Sequence, residues 1–312
     1  MQKITSGDLN APASSASELL TNPELAAVYS QEKLIIVPAR SYGTTTAAVF
    51  LLILAGLFLF AIAGNPHFGW STIGKYLFYP AVLRGLGLTL WLTAVTMIIG
   101  IVLGTVVALM SMAENPVLVW VSRIFIWFFR GTPVLVQLTI WYNLAALFPT
   151  LSIGIPFGPT FLSADTNDVI TPYAAAILGL GLNEGAYMAE IVRAGLQSVD
   201  QGQRRAAKAL GMANGLAMWR IVLPQAMVFI IPPTGNETIG MLKTTSLVSV
   251  IALSDLLYSV QAIYSRNFET IPLLLVACAW YLVATSILSL IQGRIERRFS
   301  RGIRSGARRW WR

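Results

Sequence analysis

Glu184, Glu190, Glu237 and Lys243 stand in stretches otherwise made mostly of Leu, Ile, Val, Ala, Met and Gly. In hydrocarbon an ionisable side chain is costly and is kept where it faces a cavity, a partner or an opposite charge. Glu190 and Arg193 are three residues apart, the spacing of an ion pair on one helix face, and are read as that pair. Glu184 lies near mid-run, with Asn183 adjacent and Tyr187 on the same face at i+3. A carboxylate there can hold a substrate ammonium group or bridge to a neighbouring subunit. Two other runs contain helix breakers: Gly131-Thr132-Pro133 in one, and Pro232, Pro233 and Gly235 just before Asn236 and Glu237 in the other. A broken helix presents a new N-terminus, whose positive dipole end suits a carboxylate. Arg130, Thr132, Gln137 and Tyr142 surround the first break. A ligand that carries both an ammonium and a carboxylate would fit both features. A gate or a packing kink fits the breaks equally. The path candidates are therefore Arg130, Thr132, Gln137, Tyr142, Asn183, Glu184, Tyr187, Asn236, Glu237 and Lys243.

Other chemistries are excluded. One His (His67) and one Cys (Cys278) make no transition-metal site, no His-based triad and no internal disulfide. No Gly-x-x-x-x-Gly-Lys-Ser/Thr is present, so the chain does not itself hydrolyse ATP. His-Glu-x-x-His, Gly-x-Ser-x-Gly and a paired catalytic Asp are absent too, and no catalytic residue is assigned.

The elements that position these residues are apolar spans. The 312 residues are 55% hydrophobic and 12% charged, against about 25% charged in a soluble domain. Runs of about 20 apolar residues identify an integral membrane protein. Six are predicted, at 45–63, 86–112, 118–148, 172–194, 221–253 and 271–292. The second contains Gly100-x-x-x-Gly104, which allows close helix packing. Residues 1–43 are polar and lack the short basic start of a signal peptide, so the first run is read as a retained span.

With both ends cytoplasmic, Lys and Arg number eighteen inside and three outside (Lys75, Arg84, Arg266). That asymmetry sets the orientation. The long outer loop, 149–171, is left as a docking surface or a lid. Eight Arg fall in 294–312, a tail ending near Trp310 and Trp311. It reads as a cytoplasmic end on the lipid surface, in preference to a nucleic-acid arm.

Between the fourth and fifth runs lies a short basic helix, about 199–211. Ser198 and Asp200 both begin capping-box patterns, and Gly211 is placed as a left-handed stop. Its ten or so residues measure only about 15 Å. Lying on the membrane surface and inserting into a partner's groove both suit such a helix.

Five ordered segments resemble the polar-amino-acid permeases of ABC importers. Gly202-Gln203-x-Arg205-Ala206-Ala207-x-Ala209-Leu210-Gly211, followed by Ile221-x-Leu223-Pro224-Gln225-Ala226, resembles the family's EAA loop. Phe129-Arg130-Gly131-Thr132-Pro133-x-Leu135-Val136-Gln137-Leu138 resembles its FRGTP segment. Leu182-Asn183-x-x-Ala186-Tyr187-x-Ala189-Glu190-x-x-Arg193, and Asn236-Glu237 through Lys243-x-Thr245-Ser246-Leu247-Val248, resemble two core spans. Gly87-Leu88-Thr89-Leu90 resembles the start of another.

The resemblance implies an all-α fold, with a five-helix permease core at 85–293 and an extra N-terminal helix in 44–84. It implies that Gln203, Arg205, Ala206, Ala207, Leu210 and Gly211 couple the chain to a cytoplasmic ATPase dimer. ATP and Mg would be bound by that partner, and no cofactor by this chain. A second permease subunit, identical or paralogous, an extracytoplasmic substrate-binding protein and an amino acid substrate are implied as well, in a bacterial cytoplasmic membrane. Arg205 stands where the family has Glu. Either the partner's cleft supplies an acid, or this subunit contributes less to coupling than its companion. An ion-gradient-driven transporter is the alternative reading. It accounts for the intramembrane acids but not for the capped basic helix.

Overall fold

The computed structural model describes residues 42–155 and 160–299. The expectations for most of the polar 1–43 segment and for the tail beyond 299 fall outside the described residues. Contacts divide the chain into two units, residues 1–65 and 66–312. In the first, α1 (Tyr42–Gly64) carries an apolar stretch, Thr46–Gly64, long enough to cross a membrane.

The second unit is a helical bundle. α2 (Trp70–Leu77), α3 (Pro80–Ser111), α4 (Pro116–Gly131) and α5 (Val134–Tyr142) come first. A two-stranded antiparallel hairpin follows, β1 (Thr150–Gly154) with β2 (Thr160–Asp165), pairing Thr150 with Asp165. Then come α6 (Pro172–Gln197) and the short α7 (Gln201–Ala209). A helical turn at Asn214–Ala217 and a π turn at Met218–Val222 lead into α8 (Leu223–Thr244). A 3-10 helix (Thr245–Ile251), α9 (Leu256–Asn267) and α10 (Thr270–Phe299) complete it.

The starts of these helices are written locally. Asn115 accepts a hydrogen bond from Val117 N at 2.9 Å, and Thr171 from Ala174 N at 3.3 Å. Each is followed by a proline, whose fixed φ suits the first helical position and whose missing N–H costs nothing there.

α6 is the centre of the bundle. It packs chiefly on α3, with α5, α8 and α4 around it. The α3–α6 contact is made by small residues. A Cβ on Gly104 would lie 2.5 Å from Met188 Cβ and 2.9 Å from the Gly185 carbonyl oxygen. One on Gly100 would lie 2.5 Å from Glu184 Cγ. From the other side, Gly185 sits against Leu103 and Gly181 against Ile99. Each helix thus offers a Gly-x-x-x-Gly groove to the other. This is the close approach expected from Gly100 and Gly104, and it replaces hydrophobic drive with van der Waals contact in lipid.

Among the described residues, four helices are long and apolar enough to span a membrane, or five with α4–α5 counted as one bent span. α6 is not among them. Asn183, Glu184, Glu190 and Arg193 dilute its apolar content; Glu184 is buried by its neighbours, and Glu190 and Arg193 neutralise each other as a partly exposed pair.

One expectation is corrected. Pro232 and Pro233 do not break the fifth run: α8 continues through both. No new helix N-terminus faces Asn236 and Glu237, which lie inside α8. Proline's φ fits a helix, and what it removes is an N–H donor. Opening the chain in hydrocarbon would strand several backbone groups, so the continuous helix is the cheaper solution. Neighbours supply polar contacts at this turn. Thr234 Oγ1 donates to the Ile230 carbonyl at 2.7 Å, and Gln292 Nε2 reaches the Pro232 carbonyl at 3.2 Å. The irregular backbone falls instead at the π turn before Pro224 and at the 3-10 segment that ends on Ala252, with φ 56°.

Candidate transport path and coupling helix

The other break is real. α4 and α5 meet at Gly131-Thr132-Pro133 with a bend of 100°. The bend frees carbonyls at the end of α4, and three predicted path residues occupy them. Thr132 Oγ1 donates to the Phe128 carbonyl at 2.8 Å. Asn183 Nδ2, from α6, donates to the Phe129 carbonyl at 2.7 Å. Gln137 Nε2 reaches the Phe129 carbonyl at 3.0 Å, the Thr132 carbonyl at 3.1 Å and Thr132 Oγ1 at 2.7 Å. Gln137 is 4% exposed. These side chains clamp the bend.

Gln137→Leu keeps the volume, takes the side-chain donor from the Thr132 carbonyl and leaves the Phe129 carbonyl to Asn183 alone, a loss of about 1 kcal/mol. The expected result is a lower melting temperature of the detergent-solubilised protein. An unchanged one would mean that the bend holds without the clamp.

Beside the clamp lies a charged cluster. Glu184 is 3% exposed, and among the described residues its Oε1 is a buried oxygen with no hydrogen-bond partner. Glu237 on α8 is close enough for its charge to act on Glu184, and Arg130 acts in turn on Glu237. The Arg130 guanidinium also sits 5.0 Å from the centre of the Tyr187 ring. Four predicted path residues from α4, α6 and α8 therefore converge. A cavity of about 360 Å³ opens a turn away, with Met188, Thr234 and Thr238 in its wall. Met188 is four residues on from Glu184, and Thr238 follows Glu237.

The remaining candidates are placed elsewhere. Lys243 lines a separate cavity of about 430 Å³ with Ser246, Cys278, Tyr281 and Thr285. Asn236 Oδ1 accepts from Gln292 Nε2 at 3.0 Å, tying α8 to α10. Tyr142 ends α5 and is exposed. Glu190 and Arg193 form the expected ion pair, Nη2 to Oε2 at 2.5 Å.

Sequence reasoning missed two polar residues. Gln292 Nε2 lies within hydrogen-bond distance of three acceptors, the third being Glu296 Oε1 at 2.7 Å. Asp255, fully buried, caps α9 through Tyr258 N at 2.8 Å and Leu257 N at 3.2 Å. Thr89 Oγ1 on α3 accepts from Leu256 N at 3.0 Å beside it. An Asp ahead of Leu256-Leu257 carries a legible cap signal. Gln292 carries none.

α7 is built as its sequence predicts, and the structure chooses between the two cap candidates. Asp200 is the N-cap, accepting from Gly202 N. Ser198 instead closes α6, its hydroxyl donating to the Gly195 carbonyl at 2.7 Å. At the other end Gly211 has φ 72°. Met212 N bonds the Ala207 carbonyl and Gly211 N the Lys208 carbonyl, both at 3.0 Å. This pair of bonds is a Schellman stop, which needs the left-handed residue that glycine supplies. Arg204 Nη2 donates to the Leu196 carbonyl at 2.7 Å, capping the C-terminus of α6.

At 100° per residue, the helix has two faces. Ala207 is buried as the anchor. Gln201, Arg204, Arg205 and Lys208 share one side and line a cavity. Gln203, Ala206 and Leu210 share the other and are exposed, Leu210 at 80%.

Apolar helices around a polar centre, with a capped helix presenting a small apolar face outside the bundle, define a membrane transport subunit. The chain belongs to the family of binding-protein-dependent transport system inner membrane components, which it matches over residues 100–301. It is therefore a multi-pass permease subunit of an ABC importer. Members of that family work with an ATPase, a substrate-binding protein and a second permease.

The chain is 45% identical over 268 residues to the arginine transport system permease protein ArgU of Corynebacterium glutamicum, covering 85% of this chain and 83% of that one. It is 32% identical over 233 residues to the glutamine transport system permease protein GlnP of Escherichia coli K12, covering 74% and 98%. Its fold is similar to a crystal structure of an amino acid ABC transporter with histidines, with TM-score 0.61 and 36% identity over 72% of this chain and 97% of that one.

Proposed function

We propose that this chain is the membrane-spanning subunit of an ATP-driven amino acid importer. A separate ATPase dimer, holding ATP and Mg, drives it through α7. The observation that carries the coupling is the outward face of α7. Gln203, Ala206 and Leu210 form a low, uncharged surface on a helix fixed at both ends. A helix held so rigidly transmits displacement instead of absorbing it. Arg205 lies on the other side of α7. Its replacement of the family's Glu therefore changes the charge on the cavity side of α7 more than the outward face itself.

Six spans with both ends cytoplasmic are the topology we assign, with α1 as an addition to a core at 85–293. The Lys/Arg asymmetry supports it. The permease partner is a second copy or a paralogue, and the 150–165 hairpin lies on the side of the binding protein. Amino acids are the substrate class, supported by the substrates named for the relatives and by the charged cluster.

Within that cluster Glu184 is the residue we assign to the substrate ammonium, since its Oε1 is a buried acceptor awaiting a donor. Glu184→Gln preserves shape and removes the charge. Charged hydrogen bonds are about twice as strong as neutral ones, so transport is expected to fall about tenfold or more with assembly intact. Unchanged transport and substrate preference would remove Glu184 from the path.

The class is tested by uptake of labelled amino acids into proteoliposomes containing the permease, its ATPase and its binding protein. Uptake is expected with enclosed ATP and with neither a proton nor a sodium gradient. Uptake that needs an ion gradient and ignores ATP would favour the alternative, with Glu184 and Glu237 as the ion-coupling groups.

A further inference from the structure

The inner side of α7 borders a cavity of about 710 Å³ that the coupling role leaves unused. Arg204, Arg205 and Lys208 line it together, with Glu114 as the one carboxylate. Among the described residues none of these cations is ion-paired. Arg204 spends one N–H on the Leu196 carbonyl, which anchors its guanidinium. Three cations thus share a concave space with a single acid. Gln197, Gln201 and Asn214 add amide donors. The other wall is apolar: Met112 from the end of α3, and Met218 and Val222 from the π turn that starts the next span. Trp219, next to Met218, is 72% exposed, as an indole at a membrane interface would be.

We propose that this cavity is a phosphate-binding site, and that its ligand is the headgroup of an anionic phospholipid from the inner leaflet. Arginine forks and a lysine ammonium match phosphate oxygens. The apolar wall at the span ends suits the glycerol and first methylenes better than bulk solution does. The inner leaflet supplies negative headgroups at this level. Free phosphate shares the same chemistry and is the second possible source. The site rests on the cytoplasmic placement of α7 proposed above. That placement is tested separately, by labelling Lys208→Cys with a membrane-impermeant reagent in sealed inside-out and right-side-out vesicles.

The binding test uses the full complex with its ATPase, purified in nanodiscs of phosphatidylcholine with or without phosphatidylglycerol. Lipid retained after transfer to detergent is counted by native mass spectrometry. Inorganic phosphate binding is measured in parallel by calorimetry. The expected result is selective retention of phosphatidylglycerol, reduced about thirtyfold in R205Q/K208Q and increased in E114Q. Phosphate binding that the double substitution abolishes, without lipid selectivity, would support the site with the free ion as its ligand. Retention and phosphate binding both unaffected by the substitutions would overturn it. So would an absence of both in the wild type. Loss of the ATPase from R205Q/K208Q, with no anion bound by the wild type, would overturn it in favour of a protein contact.

Discussion

Gly104→Val is expected to destabilise the bundle strongly, while Gly87→Val on the same helix leaves it intact. A Cβ at position 104 would stand 2.8 Å from Ala189 N and 2.9 Å from the Gly185 carbonyl oxygen, both backbone atoms of α6. Backbone cannot rotate away as a side chain does. The helices must separate along the contact that is the largest in the fold. Overpacking typically costs about 1–3 kcal/mol, and two rigid backbone contacts with a branched side chain place this case at or above that range. Separation would also shift Gly100 from Glu184 and disturb the charged cluster. At Gly87 a Cβ meets nothing within 4 Å among the described residues, so the effect there is expected to stay within about 0.5 kcal/mol. Melting of the detergent-solubilised protein, followed by size-exclusion fluorescence, distinguishes the two. Equal behaviour would mean that the α3–α6 groove is not what holds the bundle.

Leu210→Asp is expected to remove the ATPase from the complex without unfolding the permease. Leu210 is 80% exposed, so the native fold loses little when it changes. In a partner's cleft the same position becomes buried, and an unpaired carboxylate there is costly. Truncated anchors at interface centres commonly cost about 2–4 kcal/mol, or roughly thirtyfold to a thousandfold in affinity. Lys208→Asp changes charge more, but on the cavity side, and is expected to weaken ATPase binding less. Affinity of the purified ATPase for each variant provides the measurement. A larger loss for Lys208→Asp than for Leu210→Asp would reverse the assignment of the two faces.

What could be read in advance divides by range. The limits of α7 were legible because Asp200 and Gly211 act within one turn of themselves. The α3–α6 contact was half legible: Gly100-x-x-x-Gly104 announced a groove, but nothing in the sequence named Gly181 and Gly185 as its partner. The α4–α5 bend was legible from Gly131-Thr132-Pro133. Its clamp was not, because Asn183 reaches the Phe129 carbonyl from 54 residues away. Pro232-Pro233 misled for the opposite reason. Proline's local preference is strong, yet a membrane helix packed against α6 and α10, with Gln292 at its Pro232 carbonyl, has more to lose by opening than by missing two donors. Among the path candidates, Arg130, Glu184, Tyr187 and Glu237 come together. Thr132, Gln137 and Asn183 are occupied by the bend, a role that spacing alone could not separate from substrate contact.

The outward face of α7 is the surface we assign to carrying the ATPase's motion into the bundle. The most direct test is a cross-link. With Cys278 replaced by Ser, a single cysteine is placed at Ala206 or at Lys208 and labelled with a short photoreactive group in the full complex. The expected result is a cross-link from position 206 to the ATPase, changed in yield by ATP, and little from position 208. A cross-link from 208 and none from 206, or no ATPase adduct from either, would contradict it.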